Sequence, residues 1–240
     1  MNWGNTIISA RWNYIFNNRL FSNTTVSYNN YLFDINAYTS NQYALGNDET
    51  FTNRYSSDYR SGINDWNYQI DFDYNPSPVH HVKFGAGYIY HRFRPEVMTS
   101  KISDRTDDQT YRDTTYHNMN NSRIYAHEVS AYAEDNLKIS SRLRLNLGLH
   151  FSLFHVQKQS YFSLQPRISA RYQLTDDITL KASYTKMSQY VHLLSSMPIA
   201  MPTDLWVPVT KEIKPMQSHQ YSLGGYYTCL LYTSDAADEL

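Results

Sequence analysis

Nine histidines and a short run of aspartates are the residues of this sequence whose types could hold a metal. His80 and His81 adjoin, but the other histidines are scattered, with no helical pair and no cysteine partner. Asp104, Asp107, Asp108 and Asp113 supply hard oxygen ligands. Their spacing lacks the glycine and terminal glutamate of an EF-hand loop, so a solvated loop is the favoured reading and loop-bound calcium the alternative. His117 and His192 could touch a chelated-metal ligand or simply face water. Ser130 and His150 could meet as nucleophile and base, but no motif supplies the orienting third group. No enzyme is expected, no structural metal, and no cofactor.

Two other sets suit binding better than catalysis. Glu128, Glu134, Arg144, Arg167, Arg171 and Lys181 fall at alternate positions of strand-like segments and project to one side. They form either a polar wall that touches a passing solute or whatever fills the space it encloses, or a ladder of cross-strand pairs that neutralise one another. The stretch from Tyr190 to Pro215 holds Tyr190, His192, Met197, Met201, Trp206 and four prolines. An apolar segment of this kind could stack on a ligand ring or pack on itself. Tyr190, His192 and Trp206 are its candidate ligand contacts.

The elements that must position these residues show a period of two. Ile8, Ala10, Trp12, Tyr14 and Phe16 share a face, and Thr24, Val26 and Tyr28 return after the turn Asn17-Asn18-Arg19. Trp66, Tyr68, Ile70, Phe72 and Tyr74 alternate with Asn67, Gln69, Asp71 and Asp73. Beyond Asn75-Pro76-Ser77-Pro78, the residues Val82, Phe84, Ala86, Tyr88 and Tyr90 continue the pattern. Val129, Ala131 and Ala133 pair with the run Leu143 to Leu153 across a turn near Ser140-Ser141. Phe162 to Tyr172 pairs with Ile178 to Tyr184 across Thr175-Asp176-Asp177, and a ninth strand is expected around Gln220 to Tyr227.

Alternate connections are short turns, while three of the opposite ones, roughly 33–60, 93–121 and 186–217, are expected to be long loops. Short turns at one end and long loops at the other mark an outer-membrane barrel. Aromatic residues gather at both strand ends, where amphipathic rings would meet the two lipid–water boundaries.

Composition agrees. Tyr occurs 23 times, aromatics make up 15% of the 240 residues, and mean hydropathy is -0.60. Only alternate residues of a barrel strand face lipid, so the average is polar. No run reaches the roughly 18 apolar residues of a membrane-spanning helix. A net charge of -1 gives no electrostatic case for nucleic acid. The single cysteine, Cys229, excludes an internal disulfide. About nine strands cannot close alone, because unpaired edges in hydrocarbon are too costly. The expected fold is therefore all-β, an antiparallel transmembrane β-barrel fragment over residues 1–228. Met1-Asn2-Trp3-Gly4 has no signal-peptide features, so the sequence is expected to begin inside a longer gene. Residues 229–240 break the alternation and read as an off-pattern, non-native tail resembling translated adapter sequence.

Two segments resemble the barrel of TonB-dependent receptors of the Bacteroidetes type. One runs from His127-Glu128-Val129-Ser130-Ala131-Tyr132-Ala133-Glu134-Asp135 to Leu145-Asn146-Leu147-Gly148-Leu149. The other runs from Leu164-Gln165-Pro166-Arg167-Ile168-Ser169-Ala170-Arg171-Tyr172 to Leu180-Lys181-Ala182-Ser183-Tyr184. Asp204-Leu205-Trp206-Val207-Pro208 and Lys214-Pro215-Met216-Gln217-Ser218 fit as well. The resemblance implies a barrel of about 22 strands, a plug domain missing from this chain, outer-membrane lipid around it and a TonB complex as energy source. The imported solute would be large and scarce: a metal chelate, cobalamin or glycan. The alternatives are a passive porin-type channel and a soluble β-rich carbohydrate-binding module. The latter predicts that the Trp66–Tyr74 and Leu143–Leu153 apolar faces are buried against each other.

Overall fold

Period-two segments fold as period-two strands. The computed structural model describes residues 2–46, 49–106, 109–117, 123–195 and 204–228. Its strands are β1 (Asn2–Asn17), β2 (Leu20–Gly46), β3 (Glu49–Tyr74), β4 (His80–Thr106), β5 (Thr110–His117), β6 (Ile124–Lys138), β7 (Leu143–Val156), β8 (Gln159–Gln173), β9 (Ile178–Gln189), β10 (Val191–Ser195), β11 (Asp204–Pro208) and β12 (Met216–Tyr227). Nine of them form one antiparallel sheet in the order β1-β2-β3-β4-β6-β7-β8-β9-β12. That is the nine-stranded wall expected from the alternation. β5 adds to β4, and β10 and β11 form a separate hairpin.

Register carries the apolar positions into rows that run across successive strands. Val26 lies opposite Tyr68, Tyr68 opposite Tyr88, Tyr88 opposite Val129, Val129 opposite Leu153, and Leu153 opposite Phe162. A second row joins Leu147, Ile168, Tyr184 and Tyr221. Among the described residues nothing packs on this face: Val129 is 41% exposed, Leu149 47% and Leu223 88%. Trp66 and Phe151 are exposed on the same face of the same sheet. They are not buried against each other, so the soluble-module reading fails. A continuous apolar band on a sheet whose other face is polar is the signature of a lipid-facing wall.

Two of the expected long loops are strands instead. β2 and β3 continue past the apolar rows to pair as far as Gly46 and Glu49, and β4 and β5 extend beside them. The reason is visible in Asp34–Tyr43 and Arg54–Asp65, where, apart from Ile35 and Ile63, both faces are largely polar with scattered Tyr. Backbone pairing continues there without an apolar alternation to announce it. The third expected loop contains β10 and β11.

The buried apolar residues sit on the concave, lumen side. Ile63, Phe93, Ala126, Phe154, Val156, Tyr190 and Val209 form one cluster, with Tyr31, Ile124, Tyr161, Val191 and Trp206 packed against it. This small core lies beyond the apolar rows, near the ends of the strands farther from the short turns.

Candidate functional site

The lumen face contains two structured regions, one under the β10–β11 hairpin and one near the short turns. At the first, Tyr190 leaves β9 and turns inward. Its ring stacks on Phe154 with centroids 5.0 Å apart and planes within 5°. The Tyr190 and Ser152 hydroxyls share a hydrogen bond of 2.7 Å, and Gln165 Nε2 donates to Ser152 Oγ at 2.8 Å. Burial pushes the Tyr190 phenol above its ordinary pKa. Val209 N–H donates to the Tyr190 carbonyl, and the Tyr161 hydroxyl donates to the Thr210 carbonyl at 2.5 Å. These bonds fasten both ends of the hairpin to the wall, and β11 packs across the concavity against β3 and β4.

Below the hairpin, His91 lies between two carboxylates. Its Nδ1 is 2.8 Å from Asp65 and its Nε2 is 3.5 Å from Glu128. The ring also stacks on Phe93 at 5.6 Å. The sequence reading missed this group. Only its apolar surround was signalled, by lumen-side positions that turn apolar at Phe93, Phe154 and Val156; the partners Asp65 and Glu128 come from other strands.

The candidate loop contacts fall differently. Tyr190 and His192 are buried, at 4% and 8% exposure, while Trp206 is half-buried. His192 faces Val207 across the hairpin, and Trp206 faces Leu193. Met197 and Met201 lie outside the described residues, as do Asp107, Asp108 and the tail 229–240. Asp104 accepts from Asn53 at 2.5 Å and Asp113 pairs with Lys101 at 3.1 Å, both within the extended sheet. His150 lies opposite Tyr132 rather than Ser130. Among the described residues no three His, Cys, Asp or Glu side chains gather as a metal site.

At the turn end, the lumen face forms a concavity of about 1080 Å³. The charges of the lumen face around it are sorted by strand. Asp73, Lys83 and Glu134 alternate in sign along one register row on β3, β4 and β6. Asp71 accepts from the Tyr132 hydroxyl at 2.7 Å and from Gln69 at 2.8 Å, and Asp73 holds His81 at 2.9 Å. Nearer the turns, beyond the row of Asn136, Asn146, Ser169 and Ser183, a different row follows. Lys138 lies opposite Arg144, Arg144 opposite Arg171, and Arg171 opposite Lys181. Among the described residues none of these cations, nor Arg167, forms an ion pair within 4.0 Å. Lys181 Nζ sits 4.2 Å from the Tyr226 ring. The six wall residues thus share the lumen face, but only Arg144, Arg171 and Lys181 adjoin in one row; Arg167 follows Glu134 across Gly148, and Glu128 stands apart.

Comparison with known proteins gives a consistent result. The family model described as TonB dependent receptor-like, beta-barrel matches residues 1–235. No curated protein sequence matches the chain. Similar solved structures include the ferric preacinetobactin receptor of Acinetobacter baumannii, at 12% identity and TM-score 0.54, covering 92% of this chain and 34% of that one. The ferric-catecholate import receptor of E. coli K12 is similar at 12% identity and TM-score 0.53, covering 94% of this chain and 38% of that one. The chain therefore spans about a third of the length of these structures.

Proposed function

The chain belongs to the TonB-dependent receptor-like β-barrel family, outer-membrane receptors rather than enzymes, and from that premise we propose that it supplies part of the wall of a solute importer. The observation that carries this reading is the apolar band that runs unbroken across nine strands while a hairpin crosses the lumen behind it. Among the described residues β1 pairs only with β2, and β12 only with β9. A sheet with a lipid-facing side must close, so further strands of the parent protein complete the barrel. A plug domain fills the lumen, and a TonB complex drives its movement. The solute is large and scarce. Of a metal chelate, cobalamin and a glycan, the metal chelate is favoured, because the similar receptors are named for ferric ligands.

Tyr190, His192 and Trp206 are the proposed contact set. Trp206 is the one a ligand meets first, and Tyr190 and His192 become reachable only when the hairpin swings away. Recovering the flanking gene tests the architecture. A signal peptide and plug upstream, with more strands downstream, is the expected result, and a barrel with no plug would make it a passive channel. Calorimetry on the purified full-length parent tests the solute class with ferric chelates, cobalamin and oligosaccharides. Trp206→Ala is expected to weaken chelate binding about tenfold, the loss of one stacking contact.

A further inference from the structure

The turn-end cations form no ion pair among the described residues, and only Lys181 has a ring contact, with Tyr226. Lys138, Arg144, Arg171 and Lys181 stand in one register row on four adjacent strands. With strands about 4.8 Å apart, the row is roughly 14 Å long. Like charges directly opposite one another destabilise a sheet. The row also lines the turn-end concavity with Arg19, and among the described residues no carboxylate lines it. Of the nearby acids on β3, Asp71 accepts from Tyr132 and Gln69, and Asp73 pairs with His81. On β3 to β6 the turn-end wall therefore sets three carboxylates, Asp71, Asp73 and Glu134, against Lys83, while on β6 to β9 it carries four cations with no ion pair among the described residues.

We infer that this row docks an acidic segment of the plug domain, so that the charge sorting fixes which side of the plug faces β6 to β9. The inference rests on the importer reading above. An extended segment about 14 Å long carries four to five residues, enough to set two or three carboxylates against the row. Arg144 and Arg171 can each take a carboxylate with two parallel N–H donors, while Lys138 and Lys181 add point charges. Such contact removes the repulsion among the four cations and gives the plug one orientation in the lumen.

The test is hydrogen exchange of the full-length parent, read on plug peptides. In wild-type protein, raising salt to 1 M shortens the screening length to about 3 Å and is expected to speed exchange in one Asp- or Glu-rich plug peptide. Arg144→Gln with Arg171→Gln is expected to speed the same peptide about tenfold at low salt and to abolish its salt response. Replacing that peptide's acids by Lys, together with Arg144→Glu and Arg171→Glu, should restore slow exchange. Plug peptides indifferent to salt overturn the inference, even if the double variant fails to fold. A responding peptide without acidic residues overturns it as well. So does loss of uptake of an anionic solute with plug exchange unchanged, because the row would then serve the solute. A parent gene with no plug is a failure of the importer reading itself, seen before any variant is made.

Discussion

Gln157 and Lys158 turn the chain between β7 and β8 with φ of 45° and 67°. Two consecutive left-handed residues form the mirror-image turn whose twist suits a two-residue hairpin, and Asn-Gly is the pair that adopts it with least strain. Gln157→Asn with Lys158→Gly is expected to stabilise the fold by about 1 kcal/mol, seen as a higher urea midpoint for the full-length protein in detergent. Gly85 makes the opposite demand. A Cβ there would stand 2.6 Å from the Ile70 carbonyl oxygen and 2.8 Å from Tyr132 Cε1. The oxygen is backbone and cannot move aside. Gly85→Ala should therefore cost about 1–3 kcal/mol, with a lower urea midpoint. Tyr132→Phe, which only removes the hydroxyl that donates to Asp71, should cost about 1 kcal/mol.

At the scale of elements, the hairpin β10–β11 is held by few contacts, and Phe154 is the central one. Phe154 is fully buried beneath Tyr190. Phe154→Ala is expected to remove about 3 kcal/mol from the packing that pins the hairpin. Trypsin cleavage after the exposed Lys211 should then accelerate at least tenfold over wild type, while the urea midpoint of the wall falls much less. An unchanged cleavage rate would mean that the hydrogen bonds of Tyr161 and Val209 suffice. Which elements were legible in the sequence follows from what each buries. β1 and β6 to β9 put one face in lipid, so Ile8 to Phe16 and Leu143 to Leu153 alternate plainly. The outer halves of β2 and β3 bury no face in lipid, and Tyr38 or Tyr55 there reads like any loop residue. Side-chain parity placed Arg144, Arg171 and Lys181 in the lumen. It could not make them neighbours, because register depends on turn length and shear and not on alternation. His91 stayed invisible for the same reason, since Asp65 and Glu128 reach it from two other strands.

At the scale of the whole molecule, one sheet separates two solvents, and adjacent residues of a single strand test that division. Val129 and Ser130 of β6 are successive, with Val129 in the apolar row beside Tyr88 and Leu153 and Ser130 on the lumen face next to Glu128. Val129→Arg would place a guanidinium in hydrocarbon at a cost of about 2–4 kcal/mol near the bilayer midplane. Ser130→Arg adds the same volume and charge one residue later, where the lumen is polar and a carboxylate stands nearby. A wall that spans the membrane must therefore tolerate the second change and resist the first. In the full-length parent, Val129→Arg is expected to lower the yield of heat-modifiable, folded barrel in outer-membrane fractions severalfold, with Ser130→Arg near wild type. Equal effects at the two positions would mean that the apolar rows meet protein rather than lipid. The same pairing of neighbours on β12, Leu223→Arg against Ser222→Arg, asks the question at the strand where the described sheet ends, and there the answer also reports whether the parent's next strand continues the lipid-facing band.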